Sequence, residues 1–227
     1  MNDIQHHYIE QGQGQPLILL HGNGESLDYF EHQIPFFAKA YRVIAVDTRG
    51  HGKSPRGDKP FTIKQFAEDL KAFMDSKGID KAILLGFSDG GNIALTFALK
   101  YPERVEKMIL NGANLFPSGV KPLYQWPIEV GYRIAKLFAK KSEKAKQNAE
   151  MLGLMVNEPH IDPSGLVRLT MPVLVIAGTK DMIKDSHTML IYKSLPNAQM
   201  NIIEGDHFVA SKNHEAFNRV VELFLQK

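Results

Sequence analysis

The chain of 227 residues contains no cysteine. This absence excludes disulfide bonds, a thiolate nucleophile and cysteine-ligated zinc or iron–sulfur centres. No apolar run approaches the roughly 20 residues that a membrane-spanning helix needs. The first residues also lack the basic segment and apolar core of a signal peptide. We therefore expect a cytoplasmic protein with no membrane partner.

A strong excess of one charge is also missing. The formal net charge is +2 at pH 7, from 27 Lys and Arg against 25 Asp and Glu. Such a balance gives no reason to expect a nucleic acid partner. The neighbours His6 and His7 have no third ligand at a suitable spacing, so neither a metal site nor a cofactor is predicted. Nothing in the composition indicates an oligomeric state.

The sequence does contain short apolar runs that alternate with longer amphipathic ones, a pattern typical of an α/β protein with a mostly parallel sheet and helices on both faces. Residues 11–15 are rich in glycine and predict a hairpin between the first two strands. Strands are predicted at 4–10, 16–20, 42–46, 82–86, 105–111, 173–177 and 200–203, and helices at 29–38, 63–77, 91–100, 186–195 and 213–226.

One long segment breaks this alternation. About sixty residues without a β pattern separate the strand at 105–111 from the strand at 173–177, and within them Val130, Ile134, Leu137 and Phe138 share one helical face. We predict a small helical lid, at about 116–168, laid over the sheet. The whole of 1–227 is otherwise predicted to be a single domain.

The residues 86–91 read Gly-Phe-Ser-Asp-Gly-Gly and lie between an apolar strand and a helix. This is the context of a nucleophile elbow, a tight strand-to-helix turn that lifts the hydroxyl of Ser88 clear of the sheet. Gly86 and Gly90 are expected because a Cβ at either position would crowd the neighbouring backbone. The amide of Asp89, at the helix start, would then point towards an oxyanion.

A serine hydroxyl needs a base, and the base works best when a carboxylate orients it. Asp181 follows the apolar strand at 173–177, and His207 follows the strand at 200–203. Both therefore lie at the carboxyl ends of predicted parallel strands, where open α/β sheets form their sites. Asp206 is adjacent to His207 in sequence and is a poor orienting partner. The end of the strand at 105–111 is the other place where an orienting carboxylate could lie. No carboxylate follows that strand, which also favours Asp181.

The order Ser88, Asp181, His207 resembles that of the α/β-hydrolase superfamily, and the resemblance extends over nearly the whole chain. The segment 21–24, His-Gly-Asn-Gly, is similar to the family's oxyanion loop, and 47–54 is similar to its Asp-x-Arg-Gly-x-Gly-x-Ser loop. The resemblance implies an α/β-hydrolase fold and makes the amide of Asn23 a second oxyanion donor beside that of Asp89.

The elbow region also resembles a narrower branch, the valacyclovirase-like hydrolases, which cleave esters of α-amino acids. In that branch the acidic residue after the nucleophile holds the substrate's ammonium group, and Asp89 occupies this position. An aspartate in the first turn of a helix is, however, stabilised by the helix dipole whatever the substrate is. Within the lid, Trp126 is predicted to contact substrate.

These observations predict a serine hydrolase of the carboxylesterase type that acts on small to medium carboxylic esters through a Ser88–His207–Asp181 triad. The alternatives are an α-amino-acid ester hydrolase that uses Asp89, a hydrolase of carbon–carbon bonds, and a ligand receptor built on the same scaffold. An aspartate-nucleophile dehalogenase is disfavoured because position 88 is serine.

Overall fold

A computed structural model of the protein describes residues 3–227, so the first two residues of the predicted domain lie outside it. Its centre is one sheet in the order β1-β3-β2-β4-β5-β6-β7, in which β1 is antiparallel to β3 and all other neighbours are parallel. The strands are β1 (Tyr8–Gln11), β2 (Pro16–Leu20), β3 (Arg42–Val46), β4 (Ala82–Phe87), β5 (Val105–Asn111), β6 (Val173–Gly178) and β7 (Ala198–Ile203).

Eight helices accompany the sheet in the described chain: α1 (Gln33–Phe37), α2 (Ile63–Ser76), α3 (Asp89–Lys100), α4 (Pro122–Phe138), α5 (Glu143–Asn157), α6 (Asp185–Ser194), α7 (Val209–Lys212) and α8 (His214–Leu225). The side chains of α2, α3 and α6 pack on one face of the sheet. Those of α1, α7 and α8 pack on the other. The strands β2, β4 and β6 are buried except for Pro16 at the start of β2, which explains why their sequences read as continuous apolar runs.

The hairpin predicted between the first two strands is wrong. β1 and β2 both pair with β3, which lies between them. The glycine-rich loop passes the end of β3, where a Cβ on Gly12 would lie 2.3 Å from the carbonyl oxygen of Tyr41. Gly12 therefore permits a close approach of two backbone segments and does not form the predicted hairpin turn.

The first strand is also shorter than predicted. Residues 4–7 lie outside β1. His7 instead contacts the loop after β3, because the amide of Asp47 donates to the carbonyl of His7 and the amide of His7 donates to the hydroxyl of Ser54. The other strand predictions agree with the structure to within two residues at each end.

The lid consists of α4 and α5, which pack against each other between β5 and β6. The predicted face of α4 exists, but its orientation differs from the expectation. Ile134, Leu137 and Phe138 are exposed, and Gln125 is the buried residue of the helix. The opposite side of α4 contacts α5, since a Cβ on Gly131 would lie 3.4 Å from the side chain of Leu152.

Candidate active site

The elbow at Ser88 is strained, and its geometry accounts for the glycines around it. Ser88 has φ 52° and ψ −118°, and it is the single non-glycine residue with positive φ in residues 3–227. A Cβ on Gly86 would lie 2.3 Å from the carbonyl oxygen of Gly90, and one on Gly90 would lie 1.9 Å from that of Leu20. No side chain fits at either position, so the sequence Gly-x-Ser-x-Gly is required by backbone contact alone.

Asp181 and His207 form a buried pair at the same edge of the sheet. His207 Nδ1 lies 2.7 Å from Asp181 Oδ1, and the two residues are 4% and 1% exposed. Asp181 also accepts hydrogen bonds from the amides of Ile183 (2.9 Å) and Gly178 (3.1 Å). Burial alone would raise the pKa of Asp181, but the bond and charge of His207 together with these amides outweigh it and lower the pKa. The carboxylate is therefore ionised and holds Nδ1 of His207 as the protonated nitrogen.

The ring of His207 lies against the elbow. Its centroid is 4.9 Å from that of Phe87, the residue before Ser88. A Cβ on Gly112 would lie 2.5 Å from the His207 ring, and the neighbouring Asn111 carbonyl accepts the amide of Ser88 at 2.8 Å. His207 Nε2 is buried and has no hydrogen-bond partner in the described residues. Ser88, Asp181 and His207 thus lie close together. The bond between Asp181 and His207 is formed, and Nε2 of His207 is unpaired.

The loop at 21–24 passes over Ser88, because a Cβ on Gly22 would lie 3.2 Å from Cβ of Ser88. His21 holds this loop in place. Its Nδ1 lies 2.7 Å from the carbonyl of Gly22, and its Nε2 accepts the amide of Thr48 at 3.0 Å. Burial, with a smaller effect from His51, lowers the pKa of His21 to about 4, so the ring is neutral at pH 7. Neither the amide of Asn23 nor that of Asp89 has an acceptor within residues 3–227, which leaves both able to bind an anion.

The side chain of Asn23 connects this loop to the lid. Its Nδ2 donates to the carbonyl of Met151 on α5 at 2.6 Å. Its Oδ1 lies 3.1 Å from Nε2 of His51, and this contact is a hydrogen bond in the Nε2–H tautomer of His51. A single side chain therefore joins the predicted oxyanion loop, the 47–54 loop and a residue 128 positions away.

Two further groups of contacts fix the lid. Arg56 makes a bidentate ion pair with Glu150 on α5, at 2.7 and 2.8 Å. At the base of the lid, Val120 forms a β-bridge with Ile183. The neighbouring Lys121 donates from its Nζ to the carbonyl of Asp181 at 2.7 Å. The lid is thus attached at one end to the loop that carries the predicted acid.

Asp89 has an unusual environment. It is 7% exposed, and its Oδ1 accepts a hydrogen bond of 2.9 Å from Asn92, which also bonds to Asn114. Its Oδ2 is buried and unpartnered in the described part of the chain. Burial raises the pKa of Asp89 to about 6, and the negative charge of Glu158 adds to the effect. A cation placed at Oδ2 would favour the ionised form.

A cavity of about 260 Å³ lies between the 21–24 loop and the lid, lined by Asn23, Gly24, Asn148, Met151, Leu152 and Met155. Its lining is mostly apolar, which suits a small hydrocarbon group. Trp126 does not contribute to it. Trp126 is 70% exposed on the outer side of α4, so the prediction that it contacts substrate is not supported.

Several site residues carry no sequence motif and were not predicted. Asn92 and Asn114 hold Asp89, and the only local signal is the i,i+3 spacing of Asp89 and Asn92 on α3. Asn111, at the end of β5, is fully buried with both side-chain polar atoms unpartnered in residues 3–227. Glu25 is half-buried directly after the 21–24 loop. Burial raises its pKa, and the charge of His207 opposes this rise.

Other carboxylate and histidine side chains lie elsewhere. Asp206 accepts the amide of Phe208 and pairs with Lys212 on the surface, as expected for a residue that does not orient His207. His187 is buried on α6 and accepts the amide of Leu115 at 2.8 Å, which is a structural role. No cluster of three His, Asp or Glu side chains that could hold a metal occurs in the described residues. No helix in the same range is long and apolar enough to cross a membrane.

A parallel sheet with helices on both faces, a strained serine turn and a buried acid–histidine pair together define an α/β hydrolase. The chain belongs to this family, whose model, described as alpha/beta hydrolase fold, matches residues 15–142. The predicted fold class is confirmed, and the protein is an enzyme of the hydrolase class.

The relatives of the chain differ in their named activities. It is 30% identical over 249 residues to human "Serine hydrolase BPHL", covering all of this chain and 84% of that protein. It is also 30% identical over 267 residues to a 2-hydroxy-6-oxo-6-phenylhexa-2,4-dienoate hydrolase of Burkholderia cepacia, covering 99% and 92% of the two chains. The crystal structure of the enol-lactonase from Burkholderia xenovorans LB400 has the same fold, with a TM-score of 0.84 at 21% identity and coverage of 100% and 98%.

Proposed function

We propose that the protein is a serine hydrolase that cleaves small to medium carboxylic esters through an acyl-enzyme. The observation that carries this proposal is the buried 2.7 Å contact between His207 and Asp181 beside the strained turn of Ser88. A structural serine needs neither the strain nor the oriented base.

In this proposal, Ser88 Oγ attacks the ester carbonyl while its proton moves to Nε2 of His207. The unpaired Nε2 is the acceptor that this step needs, because Asp181 keeps the other nitrogen protonated. Protonated His207 then returns the proton to the leaving alcohol. Water attacks the acyl-enzyme by the same route and releases the acid.

The oxyanion of each tetrahedral intermediate binds the free amides of Asn23 and Asp89. Each such donor contributes on the order of 3 kcal/mol when it is aimed at the charge that develops in the transition state. The amide of Asp89 also benefits from its position at the first turn of α3, where the helix dipole is positive.

A panel of p-nitrophenyl esters of increasing acyl length tests the proposal. We expect turnover of short esters by the wild type and none by Ser88→Ala. Asp181→Asn should lose about 10³-fold or more in kcat, because the amide no longer holds the reactive tautomer. The matched control is Asp206→Asn, which changes the carboxylate next to His207 that does not orient it. Full activity in Ser88→Ala would refute the scheme.

Two further measurements address the other activities. A dienoate of the kind named for the Burkholderia cepacia relative belongs in the panel, since its preferred cleavage would replace the ester proposal with carbon–carbon hydrolysis. A fluorophosphonate probe reports whether Ser88 is activated. Labelling of Ser88 without steady-state turnover of any ester would favour a ligand receptor.

A second candidate substrate class is the esters of α-amino acids, and the environment of Asp89 favours it. The Oδ2 atom is buried, unpartnered within residues 3–227 and one residue from the nucleophile. A negative charge there opposes formation of an oxyanion unless a cation offsets it. The ammonium group of an α-amino ester supplies that cation close to the scissile carbonyl.

The test compares a phenylalanyl ester with its des-amino analogue in wild type and in Asp89→Asn. We expect Asp89→Asn to raise KM for the amino ester alone. In the wild type, KM for the amino ester should fall as pH rises through about 6, where Asp89 ionises. Asp185→Asn is the control, since Asp185 is an exposed carboxylate at the start of α6. Equal loss on both esters would remove Asp89 from the binding role.

A further inference from the structure

The outer face of α4 is apolar and uncovered. In residues 3–227, eleven large hydrophobic side chains are exposed, and six of them belong to this one helix: Leu123, Tyr124, Trp126, Ile134, Leu137 and Phe138. Leu123 is 79% exposed and Leu137 is 77% exposed. The largest apolar patch of a monomeric protein is often a functional surface.

Four of the exposed residues and the half-buried Val130 form a regular stripe. Leu123, Val130 and Leu137 recur at intervals of seven, and Trp126 and Ile134 lie between them. At 3.6 residues per turn these five side chains fall within an arc of about 80° and extend over about 21 Å of the helix. We call them the α4 stripe. This spacing is the one by which two helices pack along a shared seam.

The stripe is self-complementary about Val130. In an antiparallel arrangement of two helices, Leu123 of one copy lies opposite Leu137 of the other, and Trp126 lies opposite the Ile134 region. The helix dipoles then oppose each other favourably. A parallel arrangement would instead bring the basic ends of the two lids together, at Lys140 and Lys141.

Charges beside the stripe favour the same arrangement. Glu129 and Arg133 lie along one edge of it, four residues apart. Arg133 is exposed and makes no ion pair in the described chain, and Glu129 has only a 3.5 Å contact from Gln125. In the antiparallel pair, Glu129 of each copy lies near Arg133 of the other. Two equivalent ion pairs then flank the apolar seam.

We propose that the α4 stripe is a dimer interface, with a second copy of this chain as its occupant in an antiparallel, two-fold lid-to-lid contact. A stripe one helix wide and about 21 Å long covers on the order of 300 Å² per copy. This is less than the roughly 800 Å² per partner of a standard interface. We therefore expect the dimer to be weak and reversible.

Sedimentation velocity over about 1 to 200 µM protein tests the proposal. We expect the wild type to shift with concentration from a species of 25.5 kDa towards one of twice that mass. Leu123→Gln with Leu137→Gln should abolish the shift, since both residues are exposed and their loss leaves the core intact. The control is Leu223→Gln, an exposed leucine on α8 that lies outside the α4 stripe. A wild type that stays monomeric, or a dimer that the double variant keeps, overturns the proposal.

A charge exchange tests the orientation. Glu129→Arg and Arg133→Glu should each weaken the dimer by about 3-fold to 10-fold, because like charges then face each other across the seam. The double variant should restore the wild-type dissociation constant. Failure of this rescue overturns the antiparallel arrangement.

A membrane surface is the competing occupant, since Lys140, Lys141 and Lys144 lie near the end of the stripe. Vesicles of phosphatidylglycerol and of phosphatidylcholine separate the two cases. Monomeric protein that co-sediments with the anionic vesicles, and loses this in Leu123→Gln with Leu137→Gln, would replace the dimer with a lipid contact.

Discussion

Replacement of Asn23 by alanine tests the role of its side chain separately from that of its backbone amide. Its backbone amide is the proposed oxyanion donor, and alanine retains it. Its side chain joins the loop to Met151 on α5 and to His51, at 2.6 and 3.1 Å. Because the variant removes only the side-chain bonds, it measures how much the lid contributes to holding the oxyanion loop.

The expected magnitude follows from those two contacts. A typical intramolecular hydrogen bond contributes about 1 kcal/mol net, so the two contacts contribute at most about 2 kcal/mol, or about 30-fold in an equilibrium constant. Complete loss of one oxyanion donor would cost about 10² to 10³ in kcat and sets the upper limit. We therefore expect Asn23→Ala to reduce kcat by about 10-fold to 100-fold. KM should change little, because the amide contacts the oxyanion and not the ground-state ester.

Steady-state kinetics on a short p-nitrophenyl ester measures this effect, and the control is Glu150→Gln. That variant weakens the ion pair between Arg56 and the lid and leaves the oxyanion loop unchanged. We expect its kcat to stay within about 3-fold of the wild type, since a partly exposed ion pair contributes about 1 kcal/mol or less. Circular dichroism should show that both variants are folded.

Two results would contradict this reasoning. A kcat for Asn23→Ala within about 2-fold of the wild type would show that the loop keeps its position without the lid. An equal loss of kcat in Glu150→Gln would show that lid closure in general, and not the bond to Asn23, controls the rate.

Three further predictions concern the fold around the site. Asp89→Asn should stabilise the protein above pH 6 by on the order of 2–3 kcal/mol and have little effect near pH 4. The folded state raises the pKa of Asp89 to about 6, so the wild type loses stability as pH rises between about 4 and 6. Urea unfolding at the two pH values measures the difference. Gly112→Ala should abolish ester turnover with the fold retained, because its Cβ would lie 2.5 Å from the His207 ring at a φ of +64°; unchanged kcat would contradict this. Arg49→Met should lower the free energy of unfolding by about 3–5 kcal/mol, since it leaves the buried carboxylate of Asp69 without its ion pair; a loss below about 1 kcal/mol in thermal or urea unfolding would refute it.

The sequence was most informative where structure is decided locally. The strand at 16–20 is bounded by a proline and a His-Gly turn, and its predicted ends agree with β2. The elbow could be predicted because its glycines are required by contacts within five residues and with the adjacent strand. The positions of Asp181 and His207 followed from the rule that parallel strands end at one edge of the sheet.

Contacts between distant segments could not be predicted in this way. The glycine-rich loop at 11–15 fits a hairpin locally, but strand pairing is decided by β3, which the loop does not reveal. The periodicity of α4 showed correctly that Ile134 and Leu137 share a face. It could not show that this face points away from α5, because an apolar stripe looks the same in sequence whether it packs inside one chain or against another.

The polar contacts of the site were the least predictable part. Asn23 was expected to contribute an amide, yet its side chain contacts the lid across 128 residues. Asn92 and Asn114 bond to each other and support Asp89, and no pattern joins residues 22 positions apart. Such networks depend on the exact approach of loops, which propensity and periodicity do not encode.

The attachment of the lid to the acid loop has a consequence for engineering. Because Val120 bridges to Ile183 and Lys121 bonds to the carbonyl of Asp181, residues 117–121 and 181–184 form one connected unit, here called the joint. A chimaera that exchanges only the helices 122–157 keeps this joint, and the histidine–carboxylate alignment with it. A graft whose boundary falls inside 117–121 would disturb the contacts of these residues with the loop that carries Asp181. Substrate range can therefore be redesigned safely only from the first turn of α4 onward.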